Sequence, residues 1–251
     1  MPRFVTVPLC LVLALVACGG APTEPVPVMR DSPSAEPSSP SPAASMPSSP
    51  APAAEPVFEG GVTLIGPRLR EVLIGRNWTL GCPVPLDDLR LVKVSYWNFH
   101  GDVRTGPFVL HKRVAEDVLW VFKRLFRAKF PIQEIKLAAK DRPITPEDYW
   151  DKSRRSVSAS FNCRPATGST SLSHHSYGWA IDINPLQNPY VRSDGSVLRH
   201  IAKPFRNRSL QRKGMIHEGD LVVRSFARIG WEWGGHWHTL KDYMHFSLTG
   251  R

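Results

Sequence analysis

Residues 171–184 read SLSHHSYGWAIDIN, and the last eight of them, YGWAIDIN, have the composition of a buried strand that nevertheless carries a carboxylate. Side chains alternate along a strand, so Ala180, Asp182 and Asn184 face one way while Ile181 and Ile183 face the other. The isoleucines fit a core. Asp182 then points into a cleft floored by the small Ala180. An unpaired carboxylate there is costly, and a cation removes the cost. Two adjacent histidines, His174 and His175, lie seven and eight residues upstream, and KDYMHF near the C-terminus adds Asp242 and His245.

Taken together, His175, Asp182, Asp242 and His245 suit a catalytic zinc site, which needs three protein ligands and one open position for water. Imidazole nitrogen and carboxylate oxygen both suit zinc. Asp242 and His245 stand three residues apart, so one of them can ligate while the other addresses the water. WEWGGHW, residues 231–237, precedes them; Gly234 and Gly235 allow a tight turn that brings this segment to the metal. Its tryptophans either wall a cleft or pack, with Trp237 the first candidate for the wall. Glu232 is a second candidate base, and His236 and His238 lie close by in sequence. His100, His111, His200 and His217 are read as ordinary surface or hydrogen-bonded histidines.

The flanking sequence gives the fold class. LVKVSYWNF (91–99) is rich in β-branched and aromatic residues and reads as a strand. Residues 111–130 place Val114, Val118, Val121, Phe122 and Leu125 on one stripe of an amphipathic helix, which Pro131 stops. IQEIKLA reads as a strand. TPEDYW reads as a helix start, with Thr145 as cap and Pro146 in the first turn. EGDLVVRSFARIG is a short helix ended by Gly230, and YMHFSL a final strand. Helices and strands alternate without βαβ spacing. That predicts an α+β domain with a mainly antiparallel sheet packed by helices.

The N-terminus reads as something other than fold. Arg3 and the apolar run from Phe4 to Ala17 make a secretory signal, too short for a membrane span. LVAC, ending at Cys18, looks like a bacterial lipobox, which implies cleavage before Cys18 and lipidation of that cysteine; an ordinary secretory signal is the alternative. Residues 18–57 follow as a Pro/Ser/Ala-rich linker, with 11 of the chain's 24 prolines between 21 and 57. Fully extended as polyproline II, those 37 residues reach about 115 Å. Residues 58–251 remain as one domain of 194 residues, with 30 basic and 18 acidic side chains, a net of +12. Such a surface attracts anionic cell-wall polymers or lipid. Export and the lack of interleaved basic and aromatic residues argue against nucleic acid. Cys82 and Cys163 are the domain's two cysteines, and export favours a disulfide between them over two free thiols.

SHHSYGWAID fits the pattern S-x-H-x-x-G-x-A-x-D, with Ser173, His175, Gly178, Ala180 and Asp182 in place, and GWEWGGHW and DYMHF follow in order. This resembles the bacterial zinc peptidases of the D-alanyl-D-alanine carboxypeptidase and L-alanyl-D-glutamate endopeptidase family, which cut peptidoglycan peptides. Upstream, HGDVRTGPFVL, FPIQEIKL and FNCRP extend the resemblance over most of the domain. It implies a compact α+β fold shared with Hedgehog signalling domains. It implies one zinc per chain on His175, Asp182 and His245, with His174 a neighbour by motif register, and Asp242 as general base. Arg164, in FNCRP, matches the family's arginine that contacts substrate and stabilises the transition state. Ser173 and Trp237 join Arg164 as substrate-binding candidates. Related enzymes often carry an acidic residue after His-Phe, where this chain has Ser247.

The expected protein is therefore a monomeric zinc metallopeptidase, exported and lipid-anchored on the outer face of a bacterial membrane, whose substrates are peptidoglycan stem peptides. Two other classes compete. One is a non-enzymatic cell-wall-binding module on the same fold, its zinc kept for structure; the other is a peptidase for ordinary secreted proteins.

Overall fold

The computed structural model describes residues 55–138 and 156–250, which belong to one compact unit, Ala53–Arg251. The segment read as an export signal, Cys18, most of the stretch read as a linker, and the helix start expected at Thr145 and Pro146 lie outside the described residues.

Strand β1 (Gly60–Leu64) and helix α1 (Pro67–Leu73) lead into two nine-residue strands, β2 (Leu89–Trp97) and β3 (Val103–His111). The three strands form an antiparallel sheet in the order β1-β2-β3, with Leu89 opposite His111 and Trp97 opposite Val103. Asn98 closes the β2–β3 turn: its side-chain oxygen accepts from the backbone N–H of His100 (2.8 Å) and Asp102 (2.9 Å).

Helix α2 (Ala115–Arg127) lies against β2 and buries Val118, Val121, Phe122, Leu125 and Phe126. Glu116 and Asp117 in its first turn and Arg124 and Arg127 in its last complement the helix dipole. It is shorter at both ends than the sequence predicts. His111 is still strand, and at the other end Lys129 adopts a left-handed conformation (φ 52°) that lets Phe130 N–H reach back to the Leu125 carbonyl. The helix thus stops ahead of Pro131, by a C-terminal cap rather than by proline.

β3 is an edge strand, which tolerates Pro107. Its outer edge is also where the rest of the molecule attaches. Ser160 Oγ accepts from Val109 N–H (2.9 Å) and donates to the Val109 carbonyl (2.8 Å), Phe161 N–H donates to that carbonyl, and His111 N–H donates to the Gly178 carbonyl (3.1 Å). Gly178 sits at φ +68°, and a Cβ there would come within 2.6 Å of His111 N. Both reasons require glycine.

The second sheet is antiparallel, ordered β6 (Ala180–Asp182), β10 (His245–Ser247), β8 (Glu232–Trp233). His245 stands opposite Asp182 and Phe246 opposite Ile181. Ile181, Ile183, Trp233 and Phe246 enter the same core as α2 and the faces of β2 and β3, joined by Val222 and Phe226 of helix α3 (Leu221–Arg228). Asp220 caps α3, its carboxylate accepting from Val223 N–H. Two short pairs complete the architecture. β4 (Glu134–Ile135) runs parallel to β5 (Val157–Ser158), and β7 (Tyr190–Val191) antiparallel to β9 (Lys241–Asp242). The fold is α+β with largely antiparallel pairing.

A smaller core, Leu73, Val84, Leu86, Leu89, Val109 and Phe161, lies on the other face of the first sheet. Beside it Cys82 and Cys163 are bonded, 81 residues apart in sequence. The chain-entropy argument assigns such a bond about 4–5 kcal/mol, and removal of a native disulfide typically costs about 2–5. Reduction is expected to lower the melting temperature by the equivalent of that loss. Superimposable melts with and without reductant would show that the bond adds nothing.

Candidate metal centre

His175 lies in a 3-10 turn, His174–Tyr177, whose N-cap Ser173 accepts from His175 N–H through Oγ (3.3 Å). The imidazole is buried and its Nδ1 lies 2.7 Å from the Ser160 carbonyl oxygen, which only accepts. Nδ1 therefore carries a proton, and Nε2 faces the cleft. There it meets Asp182 Oδ1 at 3.3 Å. His245 Nδ1 approaches the same oxygen at 3.1 Å, and the two rings stand edge-to-face at 5.1 Å between centroids.

This arrangement answers the question raised by Asp182. Asp182 Oδ1 stands 3.3 Å from His175 Nε2, a contact that needs either a proton on that nitrogen or a cation shared by the two atoms. A cation between them resolves the contact. Ligand atoms about 2.0–2.1 Å from a tetrahedral zinc are about 3.3 Å apart, against 3.1 and 3.3 Å here. One atom from each of the three residues fits within a sphere of mutual distances below 4.8 Å. The donor set and its spacing fit zinc on His175, Asp182 and His245.

Asp242, on β9, lines the same cleft, about 560 Å3 in volume, together with Arg164 and Trp237. Its Oδ1 is buried and has no hydrogen-bond partner among the described residues. In the metal-free protein, burial and the neighbouring Asp182 charge raise the Asp242 carboxyl well above the usual carboxylate range, and Arg164 acts the other way. For Asp182, burial opposes ionisation but the two imidazoles outweigh it and hold the carboxyl below that range. Burial lowers His245, against the pull of Asp182. Two carboxylates in one cleft are thus driven apart in acidity.

Backbone devices fix these positions. Asp182 exchanges two backbone hydrogen bonds with Ala159 (2.9 and 3.1 Å) on one side and pairs with His245 on the other. Ser176 Oγ accepts from Arg164 N–H (2.9 Å) and donates to its carbonyl (2.8 Å), tying the arginine to the His175 turn. Trp237 stacks obliquely against His245 at 5.4 Å and forms part of the cleft wall. Gly234 and Gly235 form the tight turn expected of them, opening a 3-10 turn, Gly234–His236, in which Trp237 N–H donates to the Gly234 carbonyl (3.3 Å), and they do so with ordinary φ values. A Cβ on Gly234 would lie 2.4 Å from the Asp242 carbonyl oxygen, and one on Gly235 2.4 Å from the Trp233 ring. Gly234 is glycine because two segments touch there, and Gly235 because the Trp233 ring folds over it.

Ser173 lines the cleft, but its hydroxyl already caps the His175 turn. His174 borders the cleft and contacts Thr249 Oγ1 at 3.0 Å. His236 pairs with Glu218 at 2.8 Å; Glu232 and His238 line, with His236, a separate depression that shares Trp237 with the cleft. Ser247 is fully buried opposite Ala180, and its Oγ has no hydrogen-bond partner among the described residues. The expected common face of Ala180, Asp182 and Asn184 ends at Asp182. Asn184 turns to φ +47°, and its buried amide bonds Gln133 N–H and the Pro131 and Gly214 carbonyls instead. Ala180 is fully buried and does not line the cleft.

Serines are what the sequence reading missed. Ser156, Ser158 and Ser160 alternate along SVSAS, and their hydroxyls accept from Leu186, Asn184 and Val109 N–H. A period-two run of serines is the available signal of a strand whose polar face is used to hold loops.

A mixed α+β domain with a His-Asp-His centre beside a buried carboxylate defines the class. Within it, residues 167–248 match the family model described as D-alanyl-D-alanine carboxypeptidase, and the match supports the zinc-peptidase family whose motifs the sequence carries. At family level this is peptidase activity on cell-wall peptides, and the family is zinc-dependent. The matched stretch includes His175, Asp182, Asp242 and His245 and begins three residues after Arg164. No curated protein and no solved structure matches the chain, so the likeness to Hedgehog domains rests on the motifs alone.

Proposed function

We propose that the protein is a zinc metallopeptidase that hydrolyses a peptide bond in peptidoglycan stem peptides. The observation that carries this reading is the approach of His175 Nε2 and His245 Nδ1 to one oxygen of Asp182, beside the buried Asp242 Oδ1 that has no hydrogen-bond partner among the described residues. His175, Asp182 and His245 hold the ion. Zinc, when bound, acidifies water and polarises a carbonyl. Asp242 takes the proton from the attacking water and returns it to the leaving amine, work typically worth about 10²–10⁴-fold. The Arg164 guanidinium stabilises the oxyanion, Trp237 walls the cleft, and Ser173 shapes it through the turn it caps.

Hydrolysis of purified muropeptides with and without chelator tests the reading. Chelator-sensitive cleavage, identified by mass spectrometry of the products, is expected, and the products name the scissile bond. Binding to wall material without any hydrolysis would instead favour the non-enzymatic module, against which Asp242 argues, because a structural zinc needs no base. Digestion of casein with muropeptides untouched would favour a general secreted peptidase.

Arg164→Ala is expected to lower kcat/KM about 10²–10³-fold, the scale of losing one oxyanion donor, with zinc content unchanged. An unaltered kcat/KM would remove Arg164 from the chemistry. The cellular setting completes the proposal. The chain is exported and lipidated on Cys18, and a monomeric domain works at the end of the proline-rich tether on the wall-facing side of the membrane. A palmitate analogue should label the wild type and not Cys18→Ser; an unlabelled wild type ends the lipoprotein reading.

A further inference from the structure

Strand β7 is one arm of a hairpin that returns through Val197 and Leu198. Val191 bridges Val197, Leu198 N–H donates to the Tyr190 carbonyl (3.0 Å), and Arg192 N–H to the Ser196 carbonyl (2.8 Å). The foot of this hairpin belongs to the centre described above: Tyr190 stands opposite Asp242 in the β7–β9 pair, and Tyr190 and Leu198 line the cleft. The tip borders a second cavity, about 510 Å3, lined by Arg192, His200, Lys203 and Arg206 around the 194–197 turn.

The two arginines there are hydrogen-bonded to the turn. Arg206 Nη1 donates to the Gly195 carbonyl (2.7 Å) and Arg192 Nη1 to Ser196 Oγ (3.3 Å). The one acid lining the cavity, Asp194, accepts from Ser196 N–H (2.8 Å) and so closes the turn. The stretch 192–213 contains seven arginines and lysines against that single carboxylate.

We propose that this cavity is an anion subsite for the wall polymer, taking a carboxylate or phosphate group on the same polymer whose peptide lies in the catalytic cleft. This rests on the cell-wall reading given above. Guanidinium groups held in fixed orientation are suited to oxyanions. Exposed cations are individually weak, but several facing one polyanion steer encounter and add up along the chain. A bilayer would favour a flat or convex basic face. Here the cations line a concavity, and its hairpin leads directly to Asp242.

Co-sedimentation of the full chain with purified sacculi tests the subsite, alongside Arg192→Glu/Lys203→Glu and the milder Arg192→Gln/Lys203→Gln. Arg206 is kept because it braces the turn, and melting curves report that each variant folds. The charge reversal is expected to weaken binding about tenfold at low salt, the Gln pair less. Wild-type binding should fall comparably at about 0.5 M salt, where such charges are screened. Sacculi stripped of phosphodiester polymers, and sacculi with carboxyls blocked as amides, distinguish the two anions, since one treatment should erase the difference between wild type and variant. Equal binding by wild type and variants, salt-insensitive wild-type binding, or charge-dependent binding to anionic phospholipid vesicles but not to sacculi would each overturn the subsite. Muropeptide hydrolysis is scored separately. A chain that binds as expected but cleaves nothing refutes the peptidase reading and leaves the subsite standing, whereas cleavage with charge-independent binding refutes only the subsite.

Discussion

Asp242→Asn is expected to keep zinc, to lose turnover by about 10²–10⁴-fold, and to melt higher than the wild type in the metal-free state at neutral pH. The first two outcomes follow from the position of the side chain. Asp242 lines the cleft but is not one of the three convergent ligands, and its buried Oδ1, without a hydrogen-bond partner among the described residues, is placed to exchange a proton with the cleft. Asparagine keeps the shape and removes the basicity. The third outcome follows from linkage. Burial and the Asp182 charge raise the Asp242 carboxyl, so the native protein holds a proton that the unfolded chain has released once pH exceeds the ordinary carboxylate value of about 3.9. Stability therefore falls as pH rises from there toward the raised native value. The variant lacks this penalty, and its advantage should vanish below about pH 4, where the wild-type group is protonated in both states. Near-normal muropeptide hydrolysis by Asp242→Asn would assign the base elsewhere. A lower metal-free melting temperature at pH 7 would show that the carboxylate is satisfied in solution.

What the sequence made legible follows from how locally each feature is determined. The buried stripe of α2 is a property of one helix, and each of the five residues expected on it is buried. Ile181 and Ile183 announce a core-facing edge because alternation is local, and the odd carboxylate between them marks the cleft. The motif order pointed to His175, Asp182 and His245, and the fold brings them together although 70 residues separate the first from the last. Features decided by distant partners were not legible. Strands of two residues, such as β4 and β5, exist only because a remote segment pairs with them. The end of α2 depends on the left-handed Lys129, a conformation that lysine does not advertise. Asn184 leaves the strand face because Pro131 and Gly214 offer carbonyls to its amide, 53 and 30 residues away. Gly234 looks like a turn residue and is one, but its contact with the Asp242 backbone, which leaves no room for a Cβ, is not readable locally. Ser160 illustrates the same limit inside the site. Its hydroxyl is consumed by β3, and its carbonyl, which any residue would supply, selects the His175 tautomer.

Asp182→Ala is the counterpart of Asp242→Asn, and its stability effect should have the opposite sign. Asp182 Oδ1 is the atom that both histidines address, so its removal leaves two imidazoles with nothing to close the coordination sphere. Zinc affinity should fall by more than the roughly 10–100-fold typical of losing a supporting partner of a ligand, and turnover should fall with it, as it should for His245→Ala. In the metal-free protein burial disfavours the Asp182 carboxylate, but His175 and His245 outweigh that and hold its pKa below the ordinary range. A depressed pKa contributes stability that is complete above the unfolded value of about 3.9 and is lost as pH falls toward the native one. Asp182→Ala should therefore destabilise the metal-free protein at neutral pH, where Asp242→Asn stabilises it, with the wild type between them. Added zinc should raise the wild-type and Asp242→Asn melting temperatures and leave Asp182→Ala where it was, because only a native state that binds the ion gains from it. Zinc titration followed by melting at pH 7 and near pH 4 reads every part of this. A zinc-dependent rise in the Asp182→Ala melting temperature equal to that of the wild type would remove Asp182 from the ligand set, and with it the physical reason for a carboxylate between two isoleucines.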